Sequence, residues 1–216
     1  MIISRGRNYI FAHAPKTGGT SMALALEARA KADDILIGDT PKAVRRRRRL
    51  KGVQTRGRIW KHSTLSDVEG LVSRAEMASM FCFMLVRNPW DRLVSYYFWL
   101  REQQFDNQMV TLAKTVGFSQ FLNARKVGDG FRANPYCRYL TDGAGHCHAD
   151  LYIRLENLSE DLAALERQLG FGLELMRVNT SKRAADWREY YSQNDADLVA
   201  DICRKDIEKF DYRFDE

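Results

Sequence analysis

The stretch FAHAPKTGGTSM, residues 11–22, joins an apolar run to an alanine-rich run in which Met22, Leu24 and Leu26 recur among small residues. The first has the composition of a short buried strand over 8–13, and the second predicts a helix over 20–31. Between them stand Lys16, Gly18 and Gly19, with the hydroxyl residues Thr17, Thr20 and Ser21 alongside. Two residues without side chains let the backbone approach an anion closely, and a helix N-terminus adds partial positive charge. Lys16 supplies a full charge, and the three hydroxyls can donate hydrogen bonds. A phosphate is the anion such an assembly suits. The order is not that of a Walker A loop, in which the lysine follows the glycines. Taken alone, the stretch also fits an ordinary glycine turn capped by Thr20.

Working outward, the clearest strand is 80–86, MFCFMLV, apolar throughout as in the middle of a parallel sheet. Further strands are expected at 58–62 and 151–155. Helices are expected over 66–78, 89–104, 108–126, 159–169 and 195–210, with 128–150 irregular. Strands alternating with helices predict an α/β fold, a P-loop-like three-layer arrangement whose mostly parallel central sheet is flanked by helices. No internal repeat or linker divides the chain, so one domain over 1–216 is expected, with a basic loop insertion at about 40–58.

In such a sheet, ligands bind beyond the carboxyl ends of the strands. A second strand-to-helix junction carries suitable residues there, LVRNPWDRLVSYY. Arg87 leaves the strand end, Pro89 suits a first helical turn, and Asp91 suits its positive end. Arg92 and Ser95, three residues apart, occupy neighbouring helix positions. A guanidinium and a hydroxyl near one strand end can grip a phosphate monoester. Arg87 alone fits a structural ion pair equally well. Two anion grips at neighbouring strand ends point to a ligand with two separated phosphate-like groups.

The net charge of +6 is uneven: residues 42–61 hold ten Lys or Arg and no acidic residue, and without them the remainder of the chain carries −4. Such a block reads either as a solvated mobile loop or as a contact for a polyanion. The longest apolar run is too short to cross a bilayer, and residues 1–11 lack a secretory-type stretch. No transmembrane segment is therefore expected, and the chain reads as a soluble protein of the cytoplasm. Cys82, Cys137, Cys147 and Cys203 form no close-spaced ligand pair, and His146-Cys147-His148 has no second ligand cluster to complete a metal site. No metal is expected.

These motifs resemble a known family. His13-Ala14-Pro15-Lys16-Thr17-Gly18-Gly19-Thr20-Ser21 is similar to the 5′-phosphosulfate loop of carbohydrate sulfotransferases of the Golgi type and their bacterial relatives. The segment from Arg87 to Tyr96 is similar to the same family's 3′-phosphate motif. Weaker likeness runs through RLENLSEDL (154–162), VNTSKR (178–183) and DIEKFDYRF. The resemblance implies 3′-phosphoadenosine-5′-phosphosulfate (PAPS) as donor, adenosine 3′,5′-bisphosphate as product, and transfer of a sulfuryl group to a hydroxyl of a carbohydrate or related acceptor. It implies donor contacts from Lys16, Thr17, Gly18, Gly19, Thr20, Ser21, Arg87 and Ser95, and a looser one from Asn179 to Lys182 that includes Ser181. Lys16 is then placed to stabilise charge on the bridging oxygen.

An attacking hydroxyl needs a base, and histidine suits neutral pH. Of the four histidines, His62 closes the second expected strand beside the basic segment, where family members often carry a base. His13 is expected to pack or orient the loop, and His146 and His148 to be exposed. Glu27 and Glu76 are weaker alternatives. Two other classes compete with this reading: a P-loop-type kinase using ATP and magnesium, and a polyanion-binding module built on Arg45–Arg49. The interleaved aromatics of a single-strand binder are missing, so no nucleic-acid partner is expected. The partner that the resemblance implies is a hydroxylated glycan, and the basic segment hints at an acidic one while fitting a disordered loop equally well.

Overall fold

The computed structural model describes residues 1–176 and 183–215, which fall into two compact units, 1–86 with 136–176 and 87–135 with 183–215. The first unit holds a five-stranded sheet in the order β3-β1-β2-β4-β5. Its strands are β1 (Ile2–Ser4), β2 (Tyr9–Ala12), β3 (Ile35–Leu36), β4 (Phe81–Val86) and β5 (Ala149–Arg154). β2, β4 and β5 pair in parallel, whereas β1 runs antiparallel to both β2 and β3. Four of the five strands therefore share a direction, and the sheet is mixed but mostly parallel.

Burial follows from this order. β4 lies between two partners, and every residue from Cys82 to Val86 is buried, which explains its unbroken apolar sequence. Helices α1 (Gly19–Ala28) and α9 (Leu158–Leu169) contribute Met22, Leu26 and Leu165 to a core with Phe11, Phe83, Leu85 and Ile153. In register, Ala12 lies opposite Met84, so the carboxyl ends of β2 and β4 are side by side.

Several expectations for this unit need correction. The basic segment is not a loop throughout: Thr40 caps the amide of Ala43 and Pro41 opens α2 (Pro41–Arg46), which runs into a 3₁₀ turn over Arg47–Leu50. Arginines tie this segment down, Arg46 donating to the carbonyls of Lys31 and Asp34, and Arg49 to that of Ala32. Residues 58–62 form turns rather than a strand. The helix expected over 66–78 shrinks to α3 (Arg74–Ser79), started by a Ser73–Glu76 capping box. Upstream, Thr64 and Asp67 bond each other, and the amides of Leu65 and Ser66 go to the carbonyls of Tyr139 and Thr141. Further on, Gly70 stands at φ 100°, outside the helical region, and the carbonyls of Asp67 and Glu69 accept from the amides of Gly57 and Arg56 instead of from a following helical turn. Two short antiparallel strands, β1 and β3, escaped the reading because three and two residues carry too little pattern.

The second unit is helical. It comprises α4 (Pro89–Glu102), α5 (Gln108–Thr115), α6 (Phe118–Asn123), α7 (Arg125–Ala133), α10 (Gln193–Ile202) and α11 (Arg204–Phe210). Trp90, Leu93, Val94, Tyr97, Phe121, Leu122 and Val199 form its core. Trp90 Nε1 donates to the Ala196 carbonyl at 2.9 Å, and Tyr191 Oη donates to the Trp90 carbonyl at 2.8 Å. The helix expected over 108–126 divides at Gly117, and the final one divides at Cys203, whose side chain is buried. The segment 128–150 is less irregular than expected, since it includes most of α7 and, in the first unit, α8 (Tyr136–Tyr139).

Candidate active site

The turn from β2 into α1 has a conformation that ordinary residues avoid. Lys16 sits at φ 66° and Gly18 at φ 79°, both left-handed. For Gly18 this is costless, while for Lys16 it is a strain the surroundings must hold. Part of the hold comes from Thr17, 1% exposed, whose hydroxyl donates to the Ala14 carbonyl at 3.0 Å. That proton is thus committed within the turn. Thr20 and Ser21 are partly accessible and lie inside the first turn of α1. Thr20 does not cap the helix: the cap position is Gly18, with no side chain bonded to the first amides and no acid in the first turn. Helix-end amides without side-chain partners, beside a half-buried lysine, suit an anion.

The glycines are also required by packing. An ideal Cβ at Gly18 would come within 3.1 Å of Leu155 Cδ1, and one at Gly19 within 2.1 Å of His13 Cδ2. His13 is the residue that Gly19 accommodates. Its ring is 7% exposed, and burial pushes its pKa well below the ordinary 6.5, so it stays neutral.

His62 meets the same histidine. Its Nδ1 lies 2.7 Å from the His13 carbonyl oxygen, and the rings form an edge contact with centroids 4.7 Å apart. A carbonyl only accepts, so Nδ1 carries the hydrogen, and in the neutral ring Nε2 carries the lone pair. Backbone anchoring of this kind fixes the tautomer that a general base needs. A neutral His13 adds no opposing charge beside it.

The other proposed bases are engaged elsewhere. Glu27 ends α1, away from the turn; it is buried, accepts from Thr40 Oγ1 at 2.6 Å, and burial raises its pKa. Glu76 caps α3 and pairs with Arg5 at 2.7 Å. His146 is exposed, but His148 is not: its Nε2 meets Asp142 Oδ2 at 3.0 Å with both side chains at or below 5% exposure. Among the described residues, no group of three or more His, Cys, Asp or Glu is arranged to hold a metal ion.

In the second unit, Asn88 caps α4 by accepting from the Trp90 amide at 3.0 Å. Arg87 bonds Asp91 Oδ2 at 2.7 Å, and Arg183 reaches Asp91 Oδ1 at 2.6 Å. All three side chains are 15% exposed or less. Two guanidiniums share one carboxylate, which leaves the cluster with a net positive charge. Arg183 Nη1 is moreover buried without a hydrogen-bond partner among the described residues. A buried donor in a cationic cluster is costly unless an anion answers it. Ser95, 5% exposed, and Arg92, whose guanidinium lies 5.1 Å over the Phe131 ring, stand on the same helix.

Arg183 was not singled out from the sequence. The signal was its position at the end of VNTSKR, but nothing local joins it to Asp91, 92 residues earlier. Ser181 and its neighbours Asn179, Thr180 and Lys182 lie outside the described residues.

Comparison with known proteins agrees with this architecture. A family model described as the sulfotransferase family matches residues 1–213. Among solved structures, mouse sulfotransferase SULT7A1 complexed with PAP is similar, with a TM-score of 0.54 at 14% identity over 97% of this chain and 87% of that one. At that identity the likeness is one of fold. No match emerged among the curated proteins.

Proposed function

This chain belongs to the sulfotransferase family, and from that premise we propose that it moves a sulfuryl group from PAPS to a hydroxyl of a carbohydrate or related acceptor. The observation that carries the reading is the β2–α1 turn, where Lys16 is held left-handed at the uncapped start of a helix. The donor chemistry fits the residues present. The turn suits one anionic end, and the cationic cluster with its orphaned Arg183 donor suits another. Lys16 and the amides of Gly18 to Thr20 would hold the 5′ end, with the Ser21 amide bonded to the Gly18 carbonyl and Thr17 shaping the turn rather than donating from it. Arg87 and Ser95, joined by Arg183, would hold the 3′-phosphate.

PAPS supplies an activated sulfuryl group and leaves as adenosine 3′,5′-bisphosphate. His62 Nε2 accepts the proton of the attacking hydroxyl, while Nδ1 stays bonded to the His13 carbonyl and keeps the ring from turning. The Lys16 ammonium neutralises the negative charge that grows at the 5′ end as the bond to sulfur breaks. Both units would serve one sulfotransferase domain. No helix among the described residues is long and apolar enough to cross a membrane.

Calorimetric titration with adenosine 3′,5′-bisphosphate in the absence of magnesium tests the proposal, with binding expected at micromolar concentrations or below. Binding of ATP–magnesium alone would overturn it in favour of a kinase.

A further inference from the structure

Beside His62 the chain exposes a tryptophan. Trp60 is 43% accessible, and among the described residues of the first unit it is the one Phe, Tyr or Trp that is exposed. Its ring meets that of His62 edge-on, with centroids 4.9 Å apart, and the Arg58 guanidinium lies 5.6 Å from its centroid. The turn that presents it is rigidly built. Ser63, fully buried, accepts from the Trp60 amide at 2.9 Å and donates to the Arg58 carbonyl at 2.9 Å, while its own amide bonds the Trp60 carbonyl at 3.0 Å. The buried Ser63 hydroxyl thus fixes the backbone that carries the indole, while 43% of the residue stays open to a ligand.

Arg58 sets one cation against the ring, and the same segment carries others. Lys61 and Arg47 converge on Asp39 at 2.9 and 3.7 Å, so one carboxylate answers two cations, and Arg58 adds a third. We propose that Trp60 and Arg58 form the acceptor subsite beside His62, taking the apolar ring face of an anionic saccharide on the indole and its acidic substituent on the cations. The inference rests on His62 acting as base in the sulfotransferase reading. A saccharide suits the site better than a nucleic acid strand, whose binders use several aromatics in succession along a groove.

The probes are a heparin hexasaccharide and the neutral maltohexaose, titrated into the protein saturated with adenosine 3′,5′-bisphosphate. Trp60→Ala should weaken heparin-fragment binding by about tenfold or more, as expected for a tryptophan anchor. Trp60→Phe should keep most of it, and Arg58→Gln should weaken it while flattening its salt dependence. Bisphosphate affinity should not change in any variant, which also verifies their folding. Unchanged heparin-fragment binding in Trp60→Ala would overturn the proposal, as would equal binding of maltohexaose. A single-stranded oligonucleotide held more tightly, and through Trp60, would reassign the surface to nucleic acid. Failure of the wild-type protein to bind the bisphosphate would sink the donor reading by itself. Trp60-dependent binding of the heparin fragment in the protein without nucleotide would then still support the saccharide surface.

Discussion

Replacing Gly19 by alanine places a single methyl group against the imidazole that organises the candidate site. The new Cβ would lie 2.1 Å from His13 Cδ2, 2.4 Å from Nε2 and 2.8 Å from Cγ. Ordinary contact begins near 3.4 Å, so the ring must retreat by about 1.3 Å. It has little room: it stacks near Phe11 at 6.1 Å and against His62 at 4.7 Å, and only 7% of it is exposed. Helix propensity favours alanine here by at most about 1 kcal/mol. Forcing a methyl into a packed site costs about 1–3 kcal/mol, so the clash decides the sign. Urea denaturation should show Gly19→Ala destabilised by about 1–2 kcal/mol. Removing the ring removes the obstacle, so the same change in a His13→Ala background should be close to neutral. The double-mutant cycle should then give a coupling of about 1 kcal/mol or more. Turnover should also fall in the single variant, because the backbone that bears the shifted ring anchors His62 Nδ1. A Gly19→Ala protein as stable as wild type, or one equally destabilised with and without the His13 ring, would refute this account.

Gly130 provides the opposite case. It lies inside α7 with nothing within 4 Å of an added Cβ, so Gly130→Ala should stabilise by about 0.5–1 kcal/mol, read as a higher urea midpoint. Lys16→Ala should lower kcat by about 100-fold, the scale of losing one oxyanion donor, with a smaller effect on bisphosphate affinity. His62→Ala should leave that affinity unchanged while kcat falls by about 100-fold or more; undiminished turnover would point to another base. Asp142 contributes to acid stability: chiefly the hydrogen bond from His148 holds its carboxyl at about 2, below the unfolded value of 3.8. The stabilisation is therefore complete above pH 3.8 and fades as pH falls toward about 2. Asp142→Asn should flatten this limb in urea titrations at stepped pH, and an unaltered limb would exclude the pair as its source.

Much of the site was legible because its signals are local. A strand, a turn with lysine and two glycines, and a helix follow one another within residues 9–28, and each is recognisable by composition. β4, with its unbroken apolar run, announces a strand paired on both sides, and Pro89 with Asp91 announces the start of α4. What depends on distant partners was not legible. The arginine run looks like a solvated loop until the carbonyls of residues 31, 32 and 34 are there to receive it. The helix expected from Ser66 is broken at Gly70, and the Asp67 and Glu69 carbonyls go to the amides of Gly57 and Arg56, ten or more residues earlier.

The sequence by itself determined the parts: the phosphate-type turn, the apolar centre of the sheet, the motifs of a family and the residues able to carry charge. Tertiary structure alone decided their states. It committed the Thr17 hydroxyl to the turn, set Gly19 against His13, fixed which nitrogen of His62 holds a proton, and joined Arg183 to Asp91. The reason is range. Propensity and periodicity act over a few residues, whereas a hydrogen bond or a steric contact depends on whatever the folded chain brings within about 4 Å, regardless of separation in sequence.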